Sequence, residues 1–195
     1  MRAAVENGMT LWNGGEFYGP PSRNSMTLVA GYFAKYPEDA DKVVLCIKGA
    51  VSHKGIDCSA EAVRSSLENI IKQLDGRKKL DLFECARRDP NVPLADTLGV
   101  MQEYIDKGLL GCISLSEVSA ATIHEAAALA KIDAVEVELS LFSPDVLTNG
   151  IAATCAEHNI LLVAYSPLGH GVSGFKPASL LSPISLAPPK HHQAH

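Results

Sequence analysis

Apolar runs with the spacing of strands and apolar stripes with the spacing of helices alternate six times between residues 9 and 166. The strand-like runs are Met9–Asn13, Lys42–Lys48, Leu80–Ala86, Cys112–Ser116, Ala134–Ser140 and Ile160–Ser166. A short helical segment, Arg2–Glu6, precedes the first, with Asn7-Gly8 as its stop. Helices are expected over Ser25–Tyr36, from the Ser59 cap to Gly76, from Pro93 to Gly108, from the Ser119 cap to about Ala130, and from Ser143 to Glu157. In the second of these, Val63, Leu67, Ile70, Ile71 and Leu74 fall on one face. Regular strand–helix alternation predicts right-handed βαβ units and a parallel sheet. The unbroken apolar run Ile160-Leu161-Leu162-Val163-Ala164 is what a parallel strand covered on both faces requires.

Polar residues gather at the C-terminal ends of these strands: Asn13, Lys48, Ser116, Glu117, Ser140 and Ser166. In a (β/α)8 barrel that end carries the active site. A doubly wound open sheet is the rival architecture, but no GxGxxG follows any strand here, so its dinucleotide fingerprint is missing.

One strand exit stands out. Thr10-Leu11-Trp12-Asn13-Gly14-Gly15-Glu16-Phe17-Tyr18-Gly19 offers a phenol just past the first strand, and Val43-Val44-Leu45-Cys46-Ile47-Lys48-Gly49 ends the second in a lysine. A free phenol is a poor acid at neutral pH, and an adjacent ammonium lowers its pKa. Tyr18 and Lys48 are thus a candidate proton donor and its tuner; a surface tyrosine and an unrelated strand-end lysine are the alternative.

The formal net charge of -5 and the absence of a long Lys/Arg run argue against nucleic-acid and anionic-membrane partners. No apolar run approaches the roughly 20 residues of a membrane span, and residues 1–7 lack a signal-peptide pattern. Five scattered cysteines without a CxxC pair fit reduced thiols in a cytoplasmic protein, and no metal site is expected from them. Residues 171–195, with four prolines and several serines and glycines, read as a disordered tail, leaving 1–170 as the folded domain.

Six segments in order resemble the aldo-keto reductase family. Residues 12–19 look like its D-T-A-x-x-Y-G, and Lys48 falls at its strand-end lysine. Asp81-Leu82-Phe83-Glu84-Cys85-Ala86-Arg87-Arg88-Asp89 is similar to D-L-Y-x-x-H-R-x-D, and Ser114-Leu115-Ser116-Glu117 to G-x-S-N. Val135–Ser140 resembles x-Q-x-E-Y-S, and Val163–Gly169 matches A-Y-S-P-L-G. The departures are Asn13 for aspartate, Ala86 for histidine, Glu117 for asparagine and Glu136 for glutamine. Within the family the strings are most similar to the fungal pyridoxal reductase branch.

The resemblance implies NADPH as cofactor and a small aldehyde, pyridoxal reduced to pyridoxine, as substrate. It implies Tyr18 as proton donor, Lys48 as its tuner and Asn13 as an orienting group. With Asn13 in place of a carboxylate, Lys48 is expected to be less neutralised. Ala86 is expected to leave room for a bulky ring. Ser116, Glu117 and Glu136 would meet the nicotinamide carboxamide, Tyr165 would stack on its ring, and Ser166, Pro167, Leu168 and Gly169 would approach the pyrophosphate. For Glu117 and Glu136, strand charges facing solvent remain the alternative reading.

The family's barrel has eight strands and about 250 residues is typical of the fold; six strands are countable here. The expected architecture is an α/β, incomplete (β/α)8 TIM barrel of about six βα units, lacking the segment that grips the adenosine 2'-phosphate. An inactive truncated remnant or a binding module is therefore the competing function.

Overall fold

A computed structural model describes residues 1–52 and 55–171. Six parallel strands form one sheet: β1 (Leu11–Gly15), β2 (Val44–Gly49), β3 (Leu80–Cys85), β4 (Leu110–Ser116), β5 (Ala134–Glu138) and β6 (Leu161–Tyr165). Their spatial order follows the chain without a reversal. A doubly wound sheet must reverse its strand order at a switch point, so the rival is ruled out and the sheet is an arc of a barrel. The expected tail, past Gly171, lies outside the described residues.

Among the described residues the six α-helices are α1 (Arg2–Glu6), α2 (Ser25–Lys35), α3 (Ala60–Leu74), α4 (Leu94–Asp106), α5 (Ala120–Leu129) and α6 (Ile151–Glu157). Side-chain oxygens of Asn24, Ser59 and Ser119 accept from backbone N–H groups in the first turns of α2, α3 and α5, satisfying donors that the helix itself leaves unpaired. From α2 through α6, apolar side chains join one core with alternate strand residues: Leu45, Ile47, Phe83, Ile113, Leu115, Val135 and Val137. The intervening residues Cys46, Leu82, Cys112, Ala134 and Val163 form a second, smaller cluster on the inner face. Strand pleating produces this separation, because successive side chains point to opposite faces.

The arc curls strongly. Asn13 of β1 donates from Nδ2 to Glu136 Oε2 of β5, four strands further round the sheet. At the end of the arc, β6 leaves Leu161 58% exposed.

Three details differ from the sequence expectation. The helix expected over 143–157 is a 3-10 turn, Asp145–Leu147, followed by α6 from Ile151. Gly150 at φ 89° separates them, a left-handed conformation that interrupts a helix and suits glycine. β1 runs two residues later than expected, through Gly15. A short antiparallel pair, Val51–Ser52 with Gly55–Ile56, follows β2 and carries no marked strand pattern.

Candidate active site at the strand ends

Lys48 is buried on the inner face of β2, with Gly15 of β1 and Glu84 of β3 as its register partners. Its Nζ donates to Glu136 Oε1 at 2.5 Å and lies 2.9 Å from Glu84 Oε1, an ion pair without the alignment of a hydrogen bond. Ser114 Oγ of β4 donates to Glu84 Oε2 at 2.6 Å. Five strands thus send Asn13, Lys48, Glu84, Ser114 and Glu136 into one connected inner cluster.

The electrostatics follow from burial. Burial alone would pull the Lys48 ammonium down, but Glu84 and Glu136 outweigh it and its pKa sits above the ordinary lysine value. Burial pushes the Glu84 carboxyl up to about 7; Lys48 opposes the shift and the Glu136 charge adds to it. The Cys46 thiol is held far up by burial and then by the same two carboxylates. One cation therefore faces two acids, one of which exchanges its proton near neutral pH. This corrects the expectation that Asn13 leaves Lys48 short of carboxylate: the chain supplies two, from β3 and β5.

Cys46, Glu84 and Glu136 could between them offer three ligand atoms within 4.8 Å. Lys48 already fills that position as the cation, so the trio is read as an ion-pair network.

Tyr18 lies just outside the cluster. Its ring covers Gly15, where an added Cβ would come within 2.9 Å of the aromatic atoms, so the close approach needs glycine there. Its backbone N–H donates to Gly15 O, and its carbonyl accepts from Ser25 N. Glu16 fixes the same loop to α3, accepting from Ser66 Oγ and, at 2.6 Å, from Asn69 Nδ2. The phenol is 46% exposed, and among the described residues no hydrogen bond joins its hydroxyl to Lys48. Gly15 pairs with Lys48 and lies under the Tyr18 ring, while the ammonium itself turns to the carboxylates.

The remaining expected residues lie around the ends of β4 to β6. Glu117, at φ 53°, accepts from Glu138 N at 2.7 Å. Burial, then its hydrogen bond with Glu117, pushes the Tyr165 phenol up. Glu136 is buried among Lys48 and Asn13, so neither glutamate is an idle solvent-facing charge. Tyr165 also lies under the Lys48 ammonium, 5.8 Å from Nζ to the ring centre. Ser116 Oγ is buried and, among the described residues, has no hydrogen-bond partner. Ser166, Pro167, Leu168 and Gly169 form a turn in which Gly169 N donates to Ser166 O at 2.9 Å. Ala86, expected to open space, is itself buried and hydrogen-bonded through its N–H to Gly49 O.

Comparison with known proteins now decides the family. The profile of the Aldo/keto reductase family matches residues 1–176. This chain belongs to that family. It is 45% identical over 176 residues to "Probable pyridoxal reductase 2" of Schizosaccharomyces pombe, an alignment covering 88% of this chain and 53% of the relative. A "Putative pyridoxal reductase" of Saccharomyces cerevisiae is 38% identical over 175 residues, covering 83% and 49%. Among solved structures, a thermostable aldo-keto reductase, Tm1743, determined with the inhibitor epalrestat, superposes with a TM-score of 0.76 at 25% identity. That match covers 93% of this chain and 61% of the other. The chain spans about half the length of the curated relatives it matches. Among the described residues no helix is long and apolar enough to cross a membrane.

Sequence reasoning named Asn13, Lys48 and Glu136 as candidates, which the structure brings into one cluster, and passed over Glu84 and Ser114, which join them there. The available signal was an ionisable residue inside the apolar run Leu80–Cys85, two positions from Leu82 and so on the inner face.

Proposed function

We propose that this chain forms the substrate end of an NADPH-dependent aldehyde reductase, with pyridoxal as substrate and pyridoxine as product. The observation that carries the reading is the buried Lys48 cluster at the strand ends, with the Tyr18 ring against Gly15, the register partner of Lys48. Relatives whose names specify pyridoxal reductase support the substrate. Five free cysteines fit a reducing, cytoplasmic setting.

The strand ends fit the nicotinamide cofactor in one specific respect. The Ser116 hydroxyl, buried and without a hydrogen-bond partner among the described residues, suits an amide, which offers both donor and acceptor. Tyr165 provides an aromatic face under the Lys48 ammonium, with Glu117 against its hydroxyl. NADPH, if bound there, would supply the hydride for the aldehyde carbon. The residues of this chain hold the proton: the Tyr18 hydroxyl donates it to the carbonyl oxygen, and the phenolate left behind is neutralised from solvent through its exposed edge. Lys48 favours that phenolate only insofar as its charge is uncompensated. Protonation of Glu84 leaves the ammonium facing one carboxylate where otherwise it faces two. The acid step is therefore expected to weaken as Glu84 ionises.

The experiment follows NADPH consumption with pyridoxal for the full chain and for Tyr18→Phe. The reading predicts turnover in the wild type and its loss in the variant, with the NADPH-induced rise in melting temperature retained by both. Equal turnover in both would remove Tyr18 as the acid. Absence of turnover and of any NADPH effect would favour a non-catalytic half-barrel.

A further inference from the structure

A second cluster of ligating groups lies far from the strand ends, where α5 packs on α6 outside the sheet. His124 of α5 and His158, which caps the C-terminus of α6, face each other with Nδ1 of the first 2.8 Å from Nε2 of the second. Their rings meet edge-on, 4.9 Å between centres. Glu157, the last residue of α6, brings a carboxylate oxygen so that all three ligand atoms lie within 4.8 Å of one another.

A further contact of His124 allows the tautomer that a metal ligand needs. Its Nε2 faces the Thr154 hydroxyl at 3.5 Å, and Thr154 is buried, 5% exposed. A proton on Nε2 donated to that hydroxyl leaves the Nδ1 lone pair aimed at His158. This is the arrangement of a metal-bound imidazole, whose outer nitrogen is held by a second group that sets its tautomer. In the structure the two facing nitrogens can share one proton. A metal in place of that proton would bind both.

We propose that His124, His158 and Glu157 form a binding site for a divalent transition metal, Zn2+ being the cation that best suits two imidazoles and a carboxylate. Tetrahedral Zn–N bonds of about 2.0–2.1 Å separate two nitrogens by roughly 3.3 Å. The pair must open by about half an ångström, which rotation of the exposed His124 side chain against the half-buried His158 supplies. Imidazole ligands select against Mg2+ and Ca2+, which prefer all-oxygen shells. Bound metal would clip α6, the helix beside the exposed β6 edge, to α5. The site is independent of the reductase reading, and its ligands come from positions 34 residues apart.

Calorimetric titration with Zn2+ alone, on the full chain and on His124→Ala and His158→Ala, tests the site. His191, His192 and His195 stay in all three proteins, so any binding there is common to them. The wild type is expected to bind one more equivalent than either variant, and to show a Zn2+-dependent rise in melting temperature that both variants lose and Mg2+ does not reproduce. Glu157→Gln is expected to weaken binding several-fold while keeping the equivalent. Equal stoichiometry and equal melting shifts in all three proteins would overturn the proposal and leave the pair as a hydrogen-bonded contact only.

Discussion

The two faces of the sheet are built on opposite principles. Against the helices, Ile47, Phe83, Ile113 and Val135 are fully buried and wholly apolar. On the inner face a thin apolar layer of Cys46, Leu82, Cys112, Ala134 and Val163 gives way toward the strand ends to Asn13, Lys48, Glu84, Ser114 and Glu136. Burial alone holds the outer face together. The inner face holds together only while each charge has its partner, since an unpaired ion in the interior costs several kcal/mol. The same residues therefore make the inner face weaker as a core and richer as a site.

The sharpest way to break this contrast is on the outer face. Phe83→Ala should cost about 4 kcal/mol, the usual range for removing a buried aromatic ring, read as a lowered denaturant midpoint that is insensitive to pH. Lys48→Met should cost about 3 kcal/mol, because it strands two buried carboxylates. Unlike the first, this loss should grow as pH rises and Glu84 ionises, which denaturation at several pH values would show. An equal loss at all pH values would mean that the inner charges are solvated and the contrast is overstated.

Glu84→Gln sharpens the comparison further. Glu84 has a folded pKa of about 7 against an ordinary 4.5, so the folded state holds its proton more tightly than the unfolded one. Its contribution is fully present below about 4.5 and is lost as pH rises through 7. The wild-type melting temperature should decline across that window, and the variant should flatten the decline. Asp39 does not confuse this reading: its carboxyl is held below its ordinary value, first by the Tyr32 hydroxyl and then by Lys42, so its contribution is lost only in stronger acid. Smallest of all, Tyr18→Phe at a 46% exposed position should change stability by less than about 0.5 kcal/mol, against a full loss of any turnover.

How much of this was legible in the sequence depended on the distance over which the information acts. Strand and helix identities are local: caps such as Ser59 and Ser119 and the spacing of Val63, Leu67 and Ile70 mark them plainly. The helix expected to begin at Ser143 was misjudged because Gly150 takes a left-handed conformation that the flanking sequence does not announce. The pairing of Lys48 with Glu84 and Glu136 was beyond reach, since it depends on how far the sheet curls. Only that curl carries Asn13 of β1 across to Glu136 of β5. Family resemblance pointed to Asn13, Lys48 and Glu136, but it anticipated a less neutralised lysine, and the compensating acid on β3 reversed that expectation.

The most direct test of the inner cluster is a carbon-13 NMR titration of the Glu84 carboxyl in the full chain, assigned with Glu84→Gln. The account predicts a midpoint near 7, moving higher in Lys48→Met as the opposing cation is removed. A midpoint at the ordinary 4.5, unmoved by loss of Lys48, would contradict it, because Glu84 would then be neither buried nor facing the lysine.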